Sequence, residues 1–155
     1  MQHPPYVGVV GPGSPDDPSL LDAAREAGGL LARHGYVVVT GGLGGVMAGA
    51  AAGVAEAGGT AVALLPGVDR SLASDGHSIA IPTGLGEMRN ALLVRSVDAV
   101  LAIGGSWGTL SEVALAARTG VPVFAIASWE LPGPEVITCG HVGEAVKRIA
   151  AFLGE

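Results

Sequence analysis

The chain has a single cysteine, Cys139, among 155 residues, so no disulfide can form within it. It has one lysine, Lys147, and seven arginines against 14 Asp plus Glu, giving a net charge of -6. Nucleic-acid binders neutralise phosphates with a basic stripe, and eight scattered cations do not make one, so no nucleic-acid partner is expected. Aromatic residues are 4% of the chain, which argues against base-stacking platforms. No stretch reaches the roughly 18 uninterrupted apolar residues of a membrane helix, and the first residues, Met1 to Val10, lack the charged and apolar regions of a secretory leader. A cytoplasmic protein without membrane attachment is expected. What the chain has in excess is small side chains: 51 residues are Gly or Ala. With 49% hydrophobic and only 14% charged residues, this is the composition of a large core with tight turns and close helix-to-sheet packing, and the length suits one domain, residues 1–155.

Short β-branched runs alternate with Ala-rich helical stretches. Strands are predicted over 6–10, 36–40, 60–65, 99–103 and 121–126, with a possible short one over 136–138. Helices are predicted over about 16–34, 46–57, 85–96, 109–119 and 141–153. Residues 66–83 show no period and read as a long loop, of the kind that is usually a functional lid or disordered. Strands that are apolar throughout, each followed by a helix, fit a mostly parallel sheet covered on both faces: an α/β, Rossmann-like three-layer sandwich. Its ligands belong beyond the carboxyl ends of the strands.

Three glycine-rich turns lie at those ends: Gly11-Pro12-Gly13-Ser14, Gly41-Gly42-Leu43-Gly44-Gly45 and Gly104-Gly105-Ser106-Trp107-Gly108-Thr109. Each leads from a strand into a helix, where unpaired backbone N–H groups and the positive end of the helix dipole attract anions. One such turn is no more than a sharp bend; three on one edge point to a phosphate. The dinucleotide fingerprint is missing, because Met47 stands where it needs Gly or Ala, and no acid ends the strand over 36–40. A Walker A loop is excluded for want of Gly-Lys-Ser/Thr. Gly104-x-Ser106-x-Gly108 fits a nucleophile elbow, with Glu130 or Glu135 and then His141 in the right chain order, so a serine hydrolase using Ser106 is one alternative. Thr109 and Glu112 have the spacing of a helix capping box, which would make Glu112 structural. Arg89 and Arg95 are six residues apart on one predicted helix and face different ways, with an apolar stripe through Leu85, Met88 and Leu92; Arg89 is the one expected at the pocket. His3, His34, His77 and Cys139-x-His141 have no zinc-like pairing, and no metal site is expected. In the loop, Arg70, Asp75 and His77 could contact a ligand, although loop charges are usually only solvated.

Met88-Arg89-Asn90, Asp98-Ala99, Gly104 to Glu112 and Gly41 to Met47 together resemble the LOG-like Rossmann superfamily, SLOG. The resemblance covers nearly the whole chain. That group contains cytokinin-activating phosphoribohydrolases, proteins once labelled possible lysine decarboxylases, and molybdenum-cofactor carriers. In the phosphoribohydrolases an Arg and the Glu ending Pro-Gly-Gly-x-Gly-Thr-x-x-Glu serve hydrolysis of the N-glycosidic bond of a nucleoside 5'-monophosphate. Arg89 and Glu112 match those two positions. The chain departs from that pattern at Gly104 for Pro, Ser106 for Gly, and Asn90 for the Lys after the Arg. With those departures it looks more like the smaller branch that holds the molybdenum-cofactor carriers.

The resemblance therefore implies a carrier or sensor for a phosphate-bearing nucleotide or pterin-type ligand, with the phosphoribohydrolase as alternative. The expected ligand-binding residues are Gly11, Gly13, Ser14, Gly41, Gly42, Gly44, Gly45, Met47, Arg89, Asn90, Gly105, Ser106, Gly108, Thr109 and Glu112. Arg89 and Glu112 become catalytic only if the protein is a hydrolase. No cofactor is required on this reading, though molybdenum cofactor or a nucleotide would be the bound molecule. The decarboxylase label does not suit the chain, because pyridoxal phosphate needs a lysine and Lys147 is remote from the glycine turns. A homodimer or homotetramer is also implied.

Overall fold

The computed structural model describes residues 3–154. Its seven strands are β1 (Tyr6–Val10), β2 (Val37–Thr40), β3 (Ala61–Leu65), β4 (Ile79–Pro82), β5 (Ala99–Ile103), β6 (Val123–Ile126) and β7 (Val136–Thr138). They form one sheet in the order β4-β3-β2-β1-β5-β6-β7, and every neighbouring pair is parallel. The five helices are α1 (Ser19–Arg33), α2 (Val46–Glu56), α3 (Arg89–Arg95), α4 (Trp107–Thr119) and α5 (Val142–Phe152). One buried cluster joins the sheet to α1, α2 and α5, and a second joins it to α3 and α4. The inner strands are thus buried on both sides, which is why they carry runs such as Val7 to Val10 and Ala99 to Ile103 instead of alternating polar residues.

The chain winds outward from β1 to β4 and then crosses back to lay β5 on the other side of β1. This reversal opens a crevice between the turns after β1 and β5, the position at which such sheets bind ligands. Local chemistry sets the helix ends. Ser106 caps α4 by accepting from Thr109 N–H at 3.2 Å, and Gly120 at φ +82° ends it. His141 Nδ1 caps α5 by accepting from Glu144 N–H at 3.2 Å, while the Glu144 carboxylate accepts from Gly140 N–H at 2.7 Å.

The segment 66–83 is not the plain loop its sequence suggests. It contains a short 3-10 turn, Arg70–Leu72, and the edge strand β4, whose Ile79 to Pro82 register against Val62 to Leu65 of β3. The strand is four residues long and ends in Pro82, too short and too punctuated to show a period. The predicted helix over 85–96 also divides, into a 3-10 turn, Gly86–Met88, and α3. Its core contacts come from Leu93 and Val94, whereas Leu85, Met88 and Leu92, the apparent stripe, are exposed.

Candidate functional site

The turns after β1 and β2 interlock. Val46 N–H donates to Pro12 O at 3.1 Å, and Gly45, at φ +63°, lies so close to Pro12 and Gly13 that a Cβ there would fall within 3.0 Å of both. On the other side of the β1 turn, the Pro12 ring packs on Gly104, and Gly104 N–H donates to Ile126 O at 2.9 Å. The predicted glycines are therefore brought to one edge, but in different roles. Gly11 is buried against Ile103 O and Val46 and serves packing, whereas Gly13, Ser14, Gly44 and Gly108 are exposed. Gly42 donates its N–H to Thr40 Oγ1 at 2.9 Å.

Beside this edge, Arg89 begins α3 and is buried, with 9% exposure. Its Nη1 donates to Leu64 O at 2.9 Å, and its guanidinium lies where a Cβ on Gly41 would stand; Met47 Sδ closes the same spot. Among the described residues, Arg89 Nε is the one buried side-chain polar atom with no hydrogen-bond partner. A buried donor left unmatched costs free energy, so such atoms are rare in native proteins and need a reason. Burial lowers the Arg89 pKa and the charge of Glu112 raises it, yet a guanidinium stays protonated in proteins.

Glu112 lies one turn into α4, partly buried. Burial pushes its carboxyl up to about 7, opposed by the positive charge of Arg89. It is not a capping residue: Ser106 is the cap of α4, and Thr109, buried, shares a hydrogen bond of 2.9 Å with the Ser106 hydroxyl. The capping-box spacing was offset by three residues, so Glu112 stands one turn further along, free of the helix end. The same geometry lends the serine-hydrolase alternative no support, since Ser106 Oγ bonds Thr109 as the cap of α4 and His141 Nδ1 accepts from Glu144 N–H as the cap of α5. Asn90 Nδ2 donates to Ser111 Oγ at 3.0 Å, and that hydroxyl donates to Gly108 O at 2.7 Å, tying α3 to the first turn of α4. Lys147 lies on α5 beside His34 at the opposite end of α1, away from the glycine turns. Among the described residues no group of His, Cys, Asp and Glu is arranged to hold a metal ion.

A carboxyl that titrates near neutrality has a testable signature. Its pKa when unfolded is about 4.5, so folding favours its protonated form; the stability it supplies is complete below pH 4.5 and is lost as pH rises past 7. Glu112→Gln keeps the neutral shape and cannot ionise. The variant is expected to gain about 2–3 kcal/mol relative to the parent between pH 5 and pH 8, read from urea denaturation at both values. A stability difference independent of pH would contradict the raised pKa.

Sequence reasoning missed two features. Thr40, buried at the end of β2, joins His77 Nε2 through its hydroxyl at 2.6 Å, and His77 Nδ1 lies 3.0 Å from Ser74 O. Ser74 N–H donates in turn to Gly42 O at 2.9 Å, so the segment before β4 is fastened to the second glycine turn. A lone loop histidine carried no sign of this. The other feature is aromatic: Trp107 and Trp129, two of the six aromatic residues, meet edge-to-face at 5.0 Å beside Gly105. Trp107 stood in the glycine motif, but nothing in the sequence tied the distant Trp129 to it.

A seven-stranded parallel sheet with helices on both faces and glycine turns gathered at its switch point defines a Rossmann-like α/β protein. The sequence pattern of the SLOG cluster4 family matches residues 4–147, and the chain belongs to that family. It is 41% identical over 120 residues to an uncharacterized protein of Archaeoglobus fulgidus, covering 77% of this chain and 78% of that one. Among solved structures, it is similar to the molybdenum cofactor binding protein of Rippkaea orientalis, with a TM-score of 0.94, 35% identity and 99% of each chain covered. It is also similar to the molybdenum cofactor carrier protein of Chlamydomonas reinhardtii, with a TM-score of 0.89, 34% identity and coverage of 99% of this chain and 100% of that one.

Proposed function

We propose that the protein is a carrier or sensor that binds a phosphate-bearing pterin or nucleotide at the carboxyl edge of its sheet, in the manner of the molybdenum cofactor carriers it resembles. The observation that carries this reading is Arg89: a buried guanidinium with an unmatched Nε, boxed in by Gly41 and Leu64 O, suits an anionic oxygen as its missing partner. Exposed backbone at Gly13, Gly44 and Gly108 supplies further N–H groups. Glu112 would accept a ligand hydroxyl or N–H when ionised, and donate when protonated.

The same carboxyl favours a second reading. A group titrating near 7 beside a fixed positive charge is suited to general acid–base work on an N-glycosidic bond, as in the phosphoribohydrolases. The two readings part on turnover. Incubation with a panel of nucleoside 5'-monophosphates, followed by chromatography for free base and ribose 5-phosphate, is expected to show no release, while calorimetry shows binding. Base release that disappears in Glu112→Gln would replace the carrier by the hydrolase.

Assembly belongs to the same proposal. Val68, Leu72, Ile79, Ile81, Leu85 and Met88 are all exposed at the β4 end of the sheet, where β4 also presents an unpaired edge. Such a patch suits burial against another copy. Light scattering is expected to give two or four times the 15.2 kDa chain mass, and Met88→Glu is expected to lower it. A mass of one chain would remove the assembly.

A further inference from the structure

We infer that the site continues past the β1 turn into a second compartment, which takes a planar heterocycle bearing ring N–H and amino donors, held by stacking on Trp129 and by the Asp16 carboxylate. The inference rests on the proposed phosphate-bearing ligand and names its other half. The compartment is a cleft of about 450 Å³ between the start of α1 and the turns after β5 and β6, bordered by Ser14, Pro15, Asp16, Asp17, Gly105 and Trp129. Its size suits a bicyclic ring.

Three observations define its occupant. Trp129 is 41% exposed, and one part of its ring covers Gly105 so closely that a Cβ there would come to 2.6 Å from Trp129 Cδ1. Trp107, 79% exposed, meets it edge-to-face. Two large apolar rings left in water next to a glycine turn form a platform for a third ring. Secondly, the backbone is bent to put Trp129 there: Ala127, just after β6, has φ +50°, and it is the one non-glycine residue with positive φ among those described. Left-handed backbone at a β-carbon residue costs free energy and is typical of positions held for function.

Charge then fixes the direction of the ligand. The cleft holds two carboxylates, Asp16 and Asp17, which repel phosphate, whereas Arg89 lies across the β1 turn on the β2 side. Asp17 accepts from Ser19 N–H at 2.9 Å and belongs to the start of α1; Asp16 is exposed. A carboxylate bordering the same cleft as a stacking ring suits an edge of adjacent N–H and NH₂ donors, as a 2-amino-4-oxopyrimidine presents in guanine and in pterins. The anionic end of the ligand therefore lies toward Arg89 and the donor edge toward Asp16.

Calorimetric titrations with ribose 5-phosphate, AMP, GMP and pterin-6-carboxylate test this, on the parent and on Trp129→Ala, Trp129→Phe and Asp16→Asn. The expected result is GMP or pterin-6-carboxylate at least about 10-fold tighter than AMP, the better of the two naming the source of the ring. That advantage is expected to fall about 10-fold in Trp129→Ala and in Asp16→Asn and to survive largely in Trp129→Phe, while ribose 5-phosphate affinity is expected to stay unchanged in all three. The chain has two tryptophans, so Trp107→Phe leaves Trp129 as sole emitter, and GMP is expected to quench it where ribose 5-phosphate does not. Ribose 5-phosphate binding with no gain from any ring, or a gain untouched by the variants, overturns the second compartment and leaves the phosphate site standing. No binding of any of the four overturns the phosphate reading and this inference with it.

Discussion

Arg89→Ala is expected to weaken binding of ribose 5-phosphate and GMP by about 100-fold or more, measured calorimetrically at fixed ionic strength. A charge-assisted hydrogen bond formed away from water is the strongest polar contact available to a phosphate, and its loss also leaves Leu64 O without its donor. Arg89→Lys is expected to recover little. An ammonium carries no planar fork, and cannot hold Leu64 O from one nitrogen while offering another to the ligand. Glu112 supplies an internal check, because Arg89 holds its carboxyl down; removing the guanidinium is expected to raise the Glu112 pKa above 7. Affinity retained within about threefold in Arg89→Ala would detach the arginine from the ligand and with it the main support for the carrier reading.

Gly53→Ala is expected to destabilise the protein by about 3 kcal/mol, a large effect for a single methyl group. The reason is backbone contact between α1 and α2. A Cβ on Gly53 would lie closer than 3.0 Å to Arg25 O and C, and one on Gly28 would lie equally close to Ala50 O. No side chain can rotate away, so the helices must separate and the buried residues beneath them, Ala24, Ala27, Ala50 and Val54, lose their packing. The Arg25–Glu56 ion pair across the outer face of the same helices contributes little by comparison, being more than half exposed at both partners. Urea denaturation with an unchanged m-value checks the prediction, and a loss below about 1 kcal/mol would show that the helix pair yields.

Much of this architecture is legible in the sequence because parallel strands buried on both faces write themselves as unbroken apolar runs. The runs at Tyr6 to Val10 and Ala99 to Ile103 give their strands directly. Glycine punctuation likewise gives the strand-to-helix turns. The edge is different: β4 is paired on one side only, half-exposed, and needs no apolar run, so it hid within an apparent loop. The stripe through Leu85, Met88 and Leu92 misled for a related reason, since an outward face that is itself apolar has the same period as an inward one. Of the candidate site, Arg89 and Glu112 were singled out by the family resemblance, whereas the spacing of Thr109 and Glu112 alone read as a helix cap. The burial that leaves Arg89 Nε unmatched, and the approach of Trp129 to Gly105, depend on chain crossings that no local pattern records.

The bond network from Gly42 through Thr40 and His77 to Ser74 has a kinetic consequence. Every polar atom along it is matched when the imidazole is neutral with its proton on Nδ1, and burial lowers the His77 pKa in favour of that neutral form. Opening this segment would break all of these bonds together, so the network favours a fixed wall over a gate. On the proposed carrier reading, a ligand would enter and leave without waiting for this segment to swing, and its residence time would be set by the contacts it makes and by any acceptor that competes for them. Under the proposed carrier role, exchange by competition is the simpler design, because an acceptor need only bind the ligand more tightly to take it.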